Sequence, residues 1–277
     1  MKVFQFFIFS SLYISLCAVL MVYQTTHLLF HEVPPVSLLI FVLSSTMCSY
    51  NFHWYLTPHS VTSSIRANWT QQHKLLHLVL YITGLAVSVI YFFILRQHWM
   101  ALTFAAFVTF LYSAPKIPQH FFKQLKDIAF GKTIFLAFVW MYVTTMLPVF
   151  ISGKQLQPVY IIFACSRFFL IYSICIIFDY RDRDDDKKDG IRSMITYFNE
   201  KGINNLFAAS IILFIIFTSF LYFFNYSLIT IFTLLIPGVI VSALFNYSKK
   251  NFSDYLYYFV LDGLMMFSGL LMIIFKF

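Results

Sequence analysis

Charge is scarce in these 277 residues. Only 11% are Asp, Glu, Lys or Arg, against about 25% in soluble globular chains. With 60% of the residues hydrophobic, too few charges remain to cover a water-facing surface, which excludes a soluble enzyme and a disordered tail. Eight Gly and eight Pro exclude a collagen-like or loop-rich chain. The four cysteines, Cys17, Cys48, Cys165 and Cys175, each sit inside an apolar run with no CxxC pair. Neither a disulfide framework nor a zinc site is indicated, and small buried residues are expected. Acidic residues are the scarcer of the charged ones: 11 in the chain against 19 Lys and Arg, and none from Val33 to Leu125. The resulting formal charge of +8 does not indicate nucleic acid, because basic residues in a membrane chain report topology.

What the chain does have is long apolar runs. Nine are marked by their interruptions: Val3–Phe30, Val36–Tyr55, Leu75–Leu95, Trp99–Leu111, Ile128–Ile151, Val159–Asp179, Leu206–Phe224, Leu228–Leu244 and Tyr255–Phe275. A span needs about 17–25 residues, so the fourth run is short. The runs lack the period-2 alternation of membrane strands, which favours helices over a barrel. The first is too long for a cleaved signal and has no A-x-A-like site, so it reads as a retained span. The expected fold is an all-α polytopic bundle of about nine transmembrane helices, forming one integral membrane domain over residues 1–277. With nine spans, fifteen Lys and Arg fall on the side of the N-terminus and three on the other, with Arg167 inside the sixth span. This asymmetry places the N-terminus and the longer, functional loops in the cytoplasm.

Six of the acidic residues lie between Asp179 and Asp189, directly after the sixth run, in IIFDYRDRDDDKKDGIRS. If the helix continues, Asp179, Asp182, Asp186 and Asp189 share a face at i, i+3, i+7 and i+10. Carboxylates this dense repel one another, and a hard divalent cation relieves the repulsion. Mg2+ takes oxygen ligands and is usually held by a carboxylate or two plus substrate phosphates. The interleaved Arg181, Arg183, Lys187, Lys188 and Arg192 suit direct contact with a diphosphate. A solvated, internally paired charge run at the membrane boundary is the alternative.

The segment DRDDDKKDGIRS resembles the second aspartate-rich motif of the UbiA superfamily of intramembrane prenyltransferases, with Asp182, Asp186, Gly190, Arg192 and Ser193 in matching places. LYSAPKIP resembles that family's YxxxK element at Tyr112 and Lys116. The stretch from Leu125 resembles its fifth span, with Lys126, Lys132 and Trp140, and LDGLMMFSGLLMI its last, around Asp262 and Gly263. The resemblance implies that Mg2+ is held by Asp182 and Asp186 with Asp179 assisting. It implies a prenyl diphosphate held by Tyr112, Lys116, Lys126 and Arg192 in a cytoplasm-facing cavity, and a lipophilic acceptor. Asp182 and Asp186 are then catalytic, and membrane lipids rather than nucleic acid are the surroundings.

The family's first motif, NDxxDxxxD, has no counterpart in carboxylates. Asn51 takes the Asn position, while Phe52, Tyr55 and His59 replace the aspartates. Asn51 is kept as a candidate catalytic group and His53 as a candidate phosphate donor, since imidazole suits Mg2+ poorly. Loss of this motif implies fewer metals and more direct hydrogen bonds to the diphosphate. Arg167 and Asp262, inside the sixth and ninth runs, need interior partners; a mutual pair and an aqueous cavity for Arg167 both satisfy this. The 36 Phe and 18 Tyr suit a prenyl tunnel as well as plain packing.

The expected activity is transfer of an isoprenoid from its diphosphate to a hydrophobic, often aromatic acceptor. The missing motif makes an inactive lipid- or prenyl-diphosphate-binding accessory protein the alternative, and a transporter is disfavoured by the lack of repeats and of dispersed charges. Reporter fusions at Lys2 and Phe277 should report opposite sides of the membrane; both ends on one side would overturn the span count.

Overall fold

A computed structural model describes residues 2–57, 64–113, 132–188 and 194–275. The helices are α1 (Lys2–Phe9), α2 (Leu12–Phe30), α3 (Val36–Leu56), α4 (Ile65–Gln72), α5 (Lys74–Ile94) and α6 (Trp99–Ser113). α7 runs from Lys132–Met141 through a π-helical turn, Tyr142–Met146, into Leu147–Ile151. Then come α8 (Pro158–Lys188), α9 (Met194–Tyr197), α10 (Glu200–Phe220), α11 (Leu228–Ser248), a second π-helical stretch, Leu256–Leu261, and α12 (Asp262–Phe275). Among the described residues, the apolar runs of the sequence are helical apart from a break at Ser10–Ser11, and no strand occurs. Among them, eight helices are long and apolar enough to cross a membrane. The fourth run forms α6, whose 15 described residues rise about 22 Å, short of the ~30 Å hydrocarbon core.

Two features differ from a simple reading of the runs. The first run is not one span: it breaks at Ser10–Ser11, where Ser11 takes φ 67°, a left-handed conformation that no preceding apolar pattern demands. The loop between α3 and α5 contains α4, which the apolar periodicity does not announce because its length is only 8 residues and its sequence, IRANWTQQ, is polar. Ser64 starts it by accepting a hydrogen bond from Ala67 N at 3.0 Å, the usual N-cap arrangement.

α3 and α5 pack closely because small residues line both. A Cβ on Gly84 would lie 2.9 Å from the Ser44 carbonyl oxygen and 3.0 Å from Cys48 N, so only hydrogen fits there. Ser88 donates to Ser44 Oγ at 3.2 Å across the same seam. Close backbone approach through small residues is the usual way apolar helices associate in lipid. Two turns along this antiparallel pair the seam reaches Asn51 and His77.

In the bundle interior, Arg167 of α8 is buried. No Arg167–Asp262 pair forms. Instead Arg167 Nη1 donates to Met21 O (3.0 Å), Thr25 Oγ1 (2.6 Å), Thr144 O (2.8 Å) and Thr145 Oγ1 (3.1 Å), and Nη2 donates to Gln24 Oε1 (2.7 Å). The π-helical turn of α7 supplies two of these acceptors, as expected where i→i+5 geometry breaks the regular ladder. The cavity beside Arg167 is about 10 Å³, room for a single water rather than an aqueous channel.

Gly84→Val should force α3 and α5 apart and destabilise the protein by about 1–3 kcal/mol. This is read as a lowered thermal midpoint in detergent, with Ser88→Ala much milder. An unchanged midpoint would mean that the seam tolerates a side chain.

Candidate functional site: the polar end of the bundle

The ends of α3, α6, α8 and α11 and the starts of α1, α5, α7, α10 and α12 meet at one end of the bundle, the end that holds the acidic run. α8 continues unbroken through Lys188, so its 31 residues rise about 46 Å and its last turns project beyond the apolar core. Asp179 and Asp186 are buried, while Asp184, off their face, is exposed. Asp182, on the shared face, is partly open, its side chain 44% exposed.

Pairing keeps these acidic turns helical despite their mutual repulsion. Thr133 of α7 donates a hydrogen bond to Asp179. Arg181 Nε donates to Asp182 Oδ1 at 2.8 Å. Arg183 turns instead to the α9–α10 segment, donating from Nη2 to Phe198 O (2.9 Å) and from Nη1 to Glu200 Oε1 (3.3 Å). Glu200 also accepts from Tyr180 Oη (2.9 Å) and pairs with Lys249 (2.8 Å). Arg181, by contrast, faces the bundle.

Arg181 lies against the second π-helical stretch. Its Nη2 donates to Tyr258 Oη at 2.9 Å, and its Cζ is 4.5 Å from the Tyr257 ring centre and 4.9 Å from that of Tyr258. A second guanidinium shares the Tyr258 ring: Arg66 of α4 has its Cζ 4.0 Å from that ring centre and 4.1 Å from the Trp54 ring. Arg66 is buried, and α4 is held in place by Asp254, whose Oδ2 accepts from Arg66 N at 2.9 Å. A carboxylate at a helix start also complements the helix dipole. Burial pushes the Arg66 guanidinium below its ordinary pKa, while Tyr258 and Asp262 act in the opposite sense. Asp262 at the start of α12 sits in the field of both arginines. Sequence reasoning leaves Arg66 among the basic loop residues; its local signal is Ser64, an N-cap residue ahead of a helix-compatible stretch.

Asn51 is fully buried and its amide is engaged at both ends. Nδ2 donates to Met47 O (2.8 Å) and Ser10 O (3.1 Å), and Oδ1 lies 2.6 Å from His77 Nδ1. In this setting Asn51 ties α3 to the α1–α2 break and to α5. His53 stacks on Tyr112 with ring centres 5.5 Å apart and planes 14° apart, so two of the expected substrate-binding residues do meet. Tyr50 accepts from Trp140 Nε1 at 3.1 Å. Lys116, Lys126, Asp189, Gly190, Arg192, Ser193 and His59 lie outside the described residues. Among the described residues no group of three or more His, Cys, Asp or Glu side chains gathers as a metal-binding cluster. Two carboxylates one turn apart, Asp182 and Asp186, are nonetheless a donor set that suits Mg2+ when substrate oxygens and water complete the shell.

A polytopic helical membrane protein with an acidic helix end, buried arginines and stacked aromatics is thus defined. The model of the UbiA prenyltransferase family matches residues 70–261, and the chain belongs to that family. The match begins after the segment in which a first carboxylate motif would fall. No curated protein is matched by sequence. Solved structures of a UbiA homolog from Archaeoglobus fulgidus are similar in fold. One is bound to GPP and Mg2+ (13% identity, TM-score 0.65, 96% of this chain and 99% of that one). One is described without a ligand (15%, 0.63, 96% of each), and one is bound to Cd2+ (13%, 0.62, 96% and 99%).

Asp254→Ala should release the start of α4 at a cost of about 1 kcal/mol. Hydrogen exchange over residues 65–72 should then quicken, with Asp254→Asn intermediate. Unchanged exchange would mean that Asp254 does not hold Arg66 in place.

Proposed function

We propose that this protein is an integral membrane prenyltransferase that moves an isoprenoid from a prenyl diphosphate to a lipophilic acceptor, with its polar end in the cytoplasm. The observation that carries the reading is the acidic face of α8, with Asp179 and Asp186 buried and Asp182 at its edge, beside two arginines at the end of a UbiA-type bundle. The relative solved with GPP and Mg2+ supports the same substrate class and ion here. The basic asymmetry of the loops supports the orientation.

In this reading the C1–O bond of the prenyl diphosphate breaks, its electron pair staying with the diphosphate. The acceptor's nucleophilic atom bonds to C1 and releases a proton. Asp182 and Asp186 would hold Mg2+, with Asp179, fixed by Thr133, behind them; when bound, the ion neutralises charge on the departing diphosphate. Tyr112, Lys116, Lys126 and Arg192 remain the proposed diphosphate contacts. The stacked His53–Tyr112 pair would offer π faces that favour a cationic allyl group. Asn51 acts as a positioning residue, since its amide already holds α1, α3 and α5 together.

A second reading, a binding or accessory protein without turnover, is favoured by one observation: no carboxylate occurs from Val33 to Leu125. The two are separated by incubating protein in lipid nanodiscs with geranyl diphosphate and a membrane lipid extract, following pyrophosphate release and identifying prenylated product by mass spectrometry. Release should depend on Mg2+, and Asp186→Asn should slow it about a hundredfold or more. Tight binding of geranyl diphosphate with no release from the wild type would establish the accessory role.

A further inference from the structure

Five residues with a buried side-chain polar atom that has no hydrogen-bond partner concentrate where the first carboxylate motif is missing. They are Ser10 and Ser11 at the α1–α2 break, Arg66 and Thr70 one turn apart on α4, and His77 at the start of α5. The unpartnered atoms are Ser10 Oγ, Ser11 Oγ, Arg66 Nε and Nη2, Thr70 Oγ1 and His77 Nε2. None of the five residues is more than 3% exposed.

These residues are neighbours. Phe9, next to Ser10, has its ring centre 5.8 Å from Arg66 Cζ and 5.9 Å from the Trp69 ring. Trp69 meets the His77 ring edge-on at 5.5 Å. Asn51 bridges Ser10 O and His77. The start of α2 opens into the same place: Ser11 is its N-cap residue and makes no side-chain capping bond, so amides of the first turn add further donors.

Native proteins leave few buried polar groups unsatisfied, and a concentration of them points to a bound group. The composition says which kind. Three hydroxyls, a guanidinium and helix-start amides all donate hydrogen bonds. His77 Nδ1, facing Asn51 Oδ1, donates as well, which leaves Nε2 as an acceptor in the neutral ring. The carboxylate beside the cluster, Asp254, is taken up by Arg66 N at 2.9 Å, and the charge of Arg66 repels a hard cation. The residues therefore do not fit a metal at this half of the site.

We infer that this cluster is an anion pocket that takes oxygens of the substrate diphosphate directly, through Arg66, in place of a second metal. The inference rests on the prenyl-diphosphate reading above. It leaves one divalent ion, at Asp182 and Asp186, and it accounts for a buried guanidinium held between Trp54 and Tyr258 with two nitrogens lacking hydrogen-bond partners.

The test is calorimetric titration of the detergent-purified protein with geranyl diphosphate and with inorganic pyrophosphate, in Mg2+ and in chelator. Equilibrium dialysis of the wild type runs alongside, counting Mn2+ per bound geranyl diphosphate. The wild type should keep binding in chelator, within about tenfold of its Mg2+ value, and should take up one Mn2+. Arg66→Gln should weaken binding about tenfold or more in both conditions. Arg66→Lys should rescue little, since a point charge does not reproduce the planar fork; thermal midpoints establish that both variants are folded. Binding that vanishes in chelator, two or more Mn2+ per ligand, or indifference to Arg66→Gln would overturn the inference, leaving the cluster to ordered water, while the prenyltransferase reading stands. Binding of neither probe to the wild type in Mg2+ would overturn both. Pyrophosphate binding as tightly as geranyl diphosphate identifies the diphosphate, not the chain, as the group recognised; equal competition by phospholipid headgroup analogues would assign the pocket to lipid and overturn its role toward substrate.

Discussion

Two guanidinium groups meet on the ring of Tyr258, and the polar end of the bundle is assembled around them. One is Arg181, reaching from the acidic turns of α8; the other is Arg66, carried in by α4. A buried cation needs compensation. Arg181 has it in Asp182 and Tyr258 Oη, and in turn keeps a carboxylate-dense helix from fraying. Arg66 has aromatic faces and the field of Asp262, and no ion pair among the described residues. The second π-helical stretch places Tyr257 and Tyr258 side by side for these contacts, and Tyr257 Oη donates back to Ser248 O at 2.9 Å, locking the stretch to the end of α11.

Arg167 shows the same constraint solved without charge. At mid-bundle its guanidinium is surrounded by carbonyl, hydroxyl and amide oxygens from α2 and α7. Several neutral acceptors share the stabilisation that one carboxylate would otherwise supply. The π-helical turn of α7 serves Arg167 as the one before α12 serves Arg181. In both places an irregular turn lets an otherwise apolar helix present polar groups to a buried cation. The interior of this protein is thus organised by where three arginines sit, although they are a small part of its composition.

Much of this was legible along the chain. The apolar runs coincide with helices, because lipid tolerates few alternatives to an internally hydrogen-bonded helix. The acidic motif was legible too: its i, i+3, i+7 spacing does put Asp179, Asp182 and Asp186 on one face of a continuous α8. The gap was equally visible, since the absence of carboxylates after α3 is a property of composition. The break at Ser10–Ser11 and the helix α4 were not, because both are short and depend on caps and on distant partners such as Asp254.

The sequence by itself determined the membrane setting, the helical bundle, the family and the acidic face of α8. These follow from hydrophobicity, periodicity and local spacing, which act over a few turns of chain. Only the tertiary structure decided that Arg167 binds neutral oxygens rather than Asp262, that Asn51 is engaged with His77 and Ser10, and that Arg66 comes beside Arg181 across Tyr258. Those outcomes pair residues up to about two hundred positions apart, such as Arg66 with Asp254. The physical reason is that burial, not local propensity, chooses a charged or polar group's partner, and burial is settled when the helices pack.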